Sequence, residues 1–272
     1  MPSACHDSPI VSLTQGHLPL LISIPHGGEC LPEPFKRRMT PAARKIADTD
    51  WHLSRLYDFA RAMGASVLQA NYSRYIIDVN RPADGASLYP GTTTTGLCPT
   101  ESFIGEALYR DDAAPPDADE TAQRVALYWQ PYHDALRQEL SRLREKHTHV
   151  LLWEAHSIAN ELPRLFEGRL PDLNIGTFDG AACAPSLREA AIAAPSAGPF
   201  SWVVDARFKG GHITRHYGRP HAGVHAVQLE MARCLYMDEG EPFPYREDRA
   251  AAVLPTVESM VRNTLRALEA LQ

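Results

Sequence analysis

No apolar stretch in the 272-residue sequence approaches 18 residues, so no membrane-spanning helix is expected. There is no long basic run, and 27 Lys and Arg against 33 Asp and Glu leave a formal charge of −6. That balance argues against nucleic acid as the main partner. The five cysteines (Cys5, Cys30, Cys98, Cys183 and Cys234) are scattered and form no C-x-x-C pair. Free thiols in a reducing cytosol are therefore the expectation. Residues 1–9 carry no basic segment followed by an apolar run, so no signal peptide is expected. No G-x-S-x-G elbow, P-loop or dinucleotide fingerprint occurs, which removes support for a serine hydrolase and for phosphate cradling. No internal repeat or linker divides the chain, so one domain over 1–272 is expected. With 44% apolar and 22% charged residues, a chain this long can bury a core without staples.

What is present begins with alternating apolar segments. The run 18–24 reads as a buried strand ending in the turn Pro25-His26-Gly27-Gly28. Residues 50–63 have helical spacing, with Gly64 as the stop. Strands are expected over 66–70, 75–80, 148–153 and 173–178, at 203–204, and over 224–229. The segment 84–119, rich in Gly, Pro, Thr and Asp, reads as a long loop that shapes a site. Helices are expected over 121–146, kinked at Pro131, and over 250–271, whereas 191–199 reads as a surface loop. Strands alternating with helices predict an α/β fold: one mixed, mainly parallel sheet with helices on both faces.

Twelve histidines are many for this length, and four fall between His212 and His225. His26 and His156 each follow an expected central strand, at the sheet edge where ligands gather in α/β folds. Either alone reads as a strand-end cap bonded to backbone. Together they read as two ligands of an open His₂-carboxylate metal site. Two acids compete for the third position. Glu29 forms the tight pair His26-x-x-Glu29, and spacing favours it slightly. Asp50, in Asp48-Thr49-Asp50-Trp51, opens the next helix, where a first-turn charge needs no metal. Glu230 sits on an otherwise apolar strand, either as a general base or as a surface charge on an edge strand. Asn80-Arg81, Arg74 and Arg215 could bind a carboxylate, although ordinary ion pairing accounts for any single Arg. The polar stretch 209–218, bounded by glycines, suits a loop that closes on an anion.

These segments resemble the N-formylglutamate deformylase (N-formylglutamate amidohydrolase) family. The resemblance rests on Ser23-Ile24-Pro25-His26-Gly27-Gly28, Asp48-Thr49-Asp50-Trp51-His52, the run 72–82, Ala155-His156-Ser157, the run 208–218 and the run 223–230. It covers roughly residues 12–245. It implies a phosphorylase/hydrolase-like fold distantly related to zinc carboxypeptidases and aspartoacylases, with one divalent metal, zinc before others. The resemblance makes His26, Asp50 and His156 the ligands, preferring Asp50 to Glu29, and makes Glu230 the general base. It assigns Asn80 and Arg81, with Arg74 and His212, to a small dianionic N-acyl amino acid, and offers Arg215 for the oxyanion. One departure is Glu154, where the family usually has Asp.

The implied activity is hydrolysis of N-formyl-L-glutamate to formate and L-glutamate in histidine degradation, in the cytoplasm. The rival within the same chemistry is an aspartoacylase-like or succinylglutamate-desuccinylase-like enzyme that removes another acyl group. A binding protein that has lost activity would lack a ligand or the base, and none of the set is missing. The oligomeric state is not legible.

Overall fold

The computed structural model describes residues 5, 8–88, 91 and 94–271. The expectation of no signal peptide falls mostly on residues outside these, as do positions 89–90 and 92–93 of the 84–119 loop. Among the described residues seven strands form: β1 (Val11–Thr14), β2 (Leu20–Ile24), β3 (Ser66–Ala70), β4 (Val150–Ile158), β5 (Leu173–Gly176), β6 (Trp202–Val204) and β7 (Val224–Ala232). The helices are α1 (Glu33–Arg38), α2 (Leu53–Leu56), α3 (Asp58–Met63), α4 (Ala118–Arg124), α5 (Gln130–Arg144), α6 (Pro185–Ser196), α7 (His212–Tyr217) and α8 (Glu247–Glu269).

The strands form one sheet in the order β1-β3-β2-β4-β7-β5-β6. The central β3-β2-β4-β7 run is parallel, and β1 and β5 pair antiparallel to it. β2 and β4 are buried along their whole length, which is why they read as continuous apolar runs. Alternation sorts their side chains between two layers. Leu20, Ile22, Leu151, Trp153, Val227 and Leu229 pack with α2, α3, α6 and α8. Leu21, Leu152 and Ala226 pack with α5 and α7 on the other face. Each fully buried Leu, Ile or Val among them contributes about 1.5–3 kcal/mol. Among the described residues no helix is long and apolar enough to cross a membrane.

Several local expectations are corrected. Residues 75–80 are not a strand. Tyr75, Ile76 and Ile77 turn away from the sheet into a separate cluster with Leu31, Met39, Leu97 and Leu108, so an equally apolar run serves a different core. The 50–63 helix breaks into α2 and α3 around Tyr57, and His52 takes a positive φ of 62° before it. The 191–199 loop is largely the end of α6, whose Leu187 and Ala191 are buried in the same cluster as Val253 and Val257 of α8. The 209–218 loop contains α7, driven by burial of Ile213, Thr214 and Tyr217. The helix expected over 121–146 carries a π-helical turn, Val125–Trp129, between α4 and α5. Pro131 lies at the start of α5, where its missing N–H disturbs the ladder. Strand β1 lies outside the expected strands. Cys5 and Cys30 are joined as a disulfide, their Cα atoms 5.5 Å apart, whereas Cys98, Cys183 and Cys234 are free. A 25-residue separation gives no hint of that proximity.

Helix α5 buries His133 between Val79 and Tyr217. Its Nε2 lies 2.8 Å from the Val79 carbonyl and its Nδ1 2.8 Å from the Tyr217 hydroxyl. A carbonyl only accepts, so Nε2 carries the proton and Nδ1 accepts from Tyr217. Burial pushes this imidazole down to about 3. Its stabilising contribution is therefore complete above the unfolded value of about 6.5 and is lost as pH falls toward the folded value. Urea unfolding between pH 7 and pH 4 should show falling stability, with His133 contributing up to about 1.4 kcal/mol per pH unit. His133→Gln should flatten that slope, and an unchanged slope would refute the role.

Candidate functional site

Parallel pairing places β4 beside β7 with His156 in register with Glu230, and Glu154 in register with Gln228. Registered residues on neighbouring strands face the same side, so topology alone brings the second histidine next to the acid. β4 runs on to Ile158, and His156 stands within the strand rather than just past it. β7 is an interior strand, which removes the reading of Glu230 as an edge charge. His26 follows β2 in the Gly-rich turn, and the Asp50 N–H donates to the His26 carbonyl at 2.9 Å. That bond ties the two sequence-distant motifs together.

His26, Asp50 and His156 are all buried, with ligand atoms within 4.8 Å of one another. The Nδ1 atoms of His26 and His156 lie 3.7 and 3.1 Å from Asp50 Oδ2. Each Nε2 faces a carboxylate, Asp78 Oδ1 for His26 and Glu154 Oε1 for His156, both at 2.7 Å. A carboxylate accepts, so both Nε2 atoms donate, and each Nδ1 on the Asp50 side either carries a second proton or, in the neutral ring, offers a lone pair to a metal. Two imidazole lone pairs and a carboxylate oxygen repel unless a cation lies among them. Burial would lower His156, but the Glu154 charge and the Asp50 hydrogen bond override it and push the imidazole up to about 10. Burial would raise Asp50, yet hydrogen bonds from His156 and His26 hold it below the ordinary carboxylate range. The cluster thus demands positive charge, and a divalent ion fits its donor set.

The orienting acids are themselves held. Asp78 pairs with Arg74 Nη2 at 2.7 Å and with Arg81 Nη1 at 3.7 Å. Glu154 accepts from Asn80 Nδ2 at 2.5 Å, from the Thr214 N–H at 3.0 Å and from the Thr214 hydroxyl. The extra methylene of Glu154 relative to Asp is thus accommodated with its bond to His156 intact. Asp78→Asn should weaken metal affinity by about 10- to 100-fold, because an amide can turn its N–H₂ toward the imidazole it must accept from. Competition of the purified variant with a zinc chelator measures this, and wild-type affinity would refute it.

The other expected residues divide. Glu230 is 8% exposed and lines the same cavity as His26 and His156. Burial, opposed by the charge of His156 and reinforced by that of Asp50, raises its carboxyl above the ordinary range. Arg74, Asn80 and Arg81 line the cavity too. Glu29 is exposed and stands outside the metal group. Arg215 and His212 are not among the cavity's lining residues. Arg215 donates to the Gly210 and Leu88 carbonyls and lies over the Phe178 ring, and His212 packs near Trp129, His133 and His216. Residues not anticipated include Asp78, Gln228, Phe103 and Arg207. The Arg74-x-x-x-Asp78 spacing was a legible signal, as was the position of Arg207 directly before the Phe208-Lys209-Gly210-Gly211 run.

A family model described as N-formylglutamate amidohydrolase matches residues 18–237. The chain belongs to the N-formylglutamate amidohydrolase family. An N-formylglutamate deformylase of Pseudomonas putida is 52% identical over 243 residues, covering 89% of this chain and 90% of that protein. One from Pseudomonas aeruginosa is 49% identical over 258 residues, covering 94% and 96%. The fold matches a crystal structure of N-formylglutamate amidohydrolase from Ralstonia eutropha, with a TM-score of 0.79 and 24% identity over 96% of this chain and 97% of that one. A structure of an Agrobacterium tumefaciens gene product matches with a TM-score of 0.71 and 17% identity over 97% and 96%. The α/β sheet expected from the sequence is thus the fold of N-formylglutamate amidohydrolases.

Proposed function

We propose that the chain, acting as a single domain in the cytoplasm, hydrolyses N-formyl-L-glutamate to formate and L-glutamate as a step of histidine degradation. The observation that carries the reading is the buried convergence of His26, Asp50 and His156 beside Glu230 in one cavity. The names of relatives at about half identity supply the substrate.

His26, Asp50 and His156 would hold a divalent ion, zinc before others, which supplies Lewis acidity toward the formyl oxygen and the attacking water. Glu230 removes a proton from that water as its oxygen bonds to the formyl carbon. It then delivers the proton to the nitrogen as the C–N bond breaks, leaving formate and the free amine. Its raised carboxyl suits both halves of that cycle, since a base near neutrality can also give the proton back. Asp78 and Glu154 keep both imidazoles in the ligating tautomer. Arg74 and Arg81 add positive charge beside Asp78 for the carboxylate next to the scissile bond.

The test is glutamate release from N-formyl-L-glutamate, beside the acetyl and succinyl analogues, before and after chelation and metal restoration. Turnover confined to the formyl substrate, lost on chelation and regained with metal, is expected. Preference for a larger acyl group would move the assignment to another deacylase, and unaffected turnover after complete metal removal would end the metal mechanism.

A further inference from the structure

We infer that Arg207 docks the side-chain carboxylate of the substrate, an assignment that rests on the proposed reaction. N-Formylglutamate carries two carboxylates, and three guanidinium groups line the cavity: Arg74, Arg81 and Arg207. Two of these are already engaged. Arg74 donates to Asp78 and abuts His26 Nδ1 at 3.1 Å. Arg81 directs Nε to the Thr95 carbonyl, Nη2 to the Thr95 hydroxyl and Nη1 to the Asn80 carbonyl. Arg207 is half-buried and makes no hydrogen bond or ion pair with any described residue.

The backbone around Arg207 is nonetheless fixed on both sides. Two residues before it, Asp205 accepts from the Thr177 N–H and hydroxyl, both at 2.6 Å. Two residues after it, the Lys209 carbonyl accepts from the Phe178 N–H at 2.6 Å, and four after it the Gly211 N–H donates to Gln228 Oε1 at 2.7 Å. Gly210 follows at a φ of 117°, which a side chain would rarely adopt. A guanidinium carried on fixed backbone at a cavity wall, with its donors uncommitted, suits an incoming anion.

Its partner follows from connectivity. The α-carboxylate is bonded to the carbon that bears the formamide nitrogen, so it stays near the metal group. Arg74 and Arg81 both contact Asp78, which bonds His26, and they share that neighbourhood. Arg207 makes no hydrogen bond or ion pair with any of these residues, which assigns it the carboxylate farther along the chain.

The experiment compares kcat and KM for N-formyl-L-glutamate and N-formyl-L-glutamine in the metal-loaded wild type, Arg207→Gln and Arg207→Lys. The neutral amide keeps the size of the side chain and removes its charge. Arg207→Gln should lose about 10- to 100-fold in kcat/KM on the glutamate substrate, mostly in KM, and less than about threefold on the glutamine substrate. Arg207→Lys, which keeps the charge without the planar fork, should show a smaller loss confined to the glutamate substrate. L-Glutamate should weaken as a competitive inhibitor by a similar factor. Equal losses on both substrates, or none on either, would overturn the assignment of Arg207. A metal-loaded wild type that fails to hydrolyse N-formyl-L-glutamate would overturn the proposed function instead. If Arg207→Gln does not fold, the Lys variant's substrate ratio decides.

Discussion

Glu230→Gln should lower kcat on N-formyl-L-glutamate by about 10²–10⁴-fold while bound metal stays at the wild-type level. The amide keeps the shape of the side chain, so packing on β7 is undisturbed. It removes the carboxyl that lines the cavity beside the His26, Asp50 and His156 set and can exchange a proton. The expected pH behaviour has a definite sign. Burial disfavours the charged carboxylate, so the base titrates above its ordinary value of about 4.3. Wild-type kcat/KM should climb with pH through that raised value and then level off. The acid limb should be absent from the residual activity of the variant. Steady-state kinetics across pH with metal analysis of the same samples checks both parts. Near-normal turnover with metal retained would remove Glu230 from the mechanism. Metal loss in the variant would make it a ligand instead.

Much of this arrangement was legible because it follows from continuous apolar runs. β2 and β4 are buried on both faces and could be read as strands with no knowledge of their neighbours. Placing His26 and His156 at one sheet edge then required only the parallel topology. The 75–80 run shows the limit of that reasoning. Its composition is that of a strand, but the Arg74–Asp78 ion pair and burial against Leu31 and Leu97 curl it over the sheet edge. Periodicity cannot reveal which core claims an apolar segment. The arginines show a second limit. Arg74, Arg81, Arg207 and Arg215 look equivalent as letters, and only the distribution of carbonyls and carboxylates around each shows which is spent on the protein. The stretch 209–218 reads as an anion loop from sequence, and its Gly-rich start does help fix the backbone beside Arg207. The remainder became α7, which braces Glu154 through Thr214. That stretch therefore orients His156 from behind.

Asp50→Asn should cost more than any change in the orienting acids, with kcat/KM falling on the order of 10³-fold at limiting metal. Asp50 Oδ2 is the only carboxylate oxygen among the described residues that faces the Nδ1 atoms of both His26 and His156. An amide there lacks the negative charge that draws a divalent ion in among the two imidazole lone pairs. Its Oδ1 looks toward the buried Arg233 guanidinium at 3.9 Å, so the native carboxylate is balanced by cations on both sides. The same experiment separates the two acids that competed on sequence grounds. Glu29→Gln alters an exposed side chain outside the metal group and should leave both metal content and kcat/KM within about twofold of wild type. Metal per chain after dialysis against limiting zinc, measured with kcat/KM on the same preparations, ranks the variants. The expected order of retained metal is Glu29→Gln, then Asp78→Asn, then Asp50→Asn. Retention by Asp50→Asn with loss in Glu29→Gln would transfer the third ligand to Glu29 and require the turn after β2 to rearrange when metal binds.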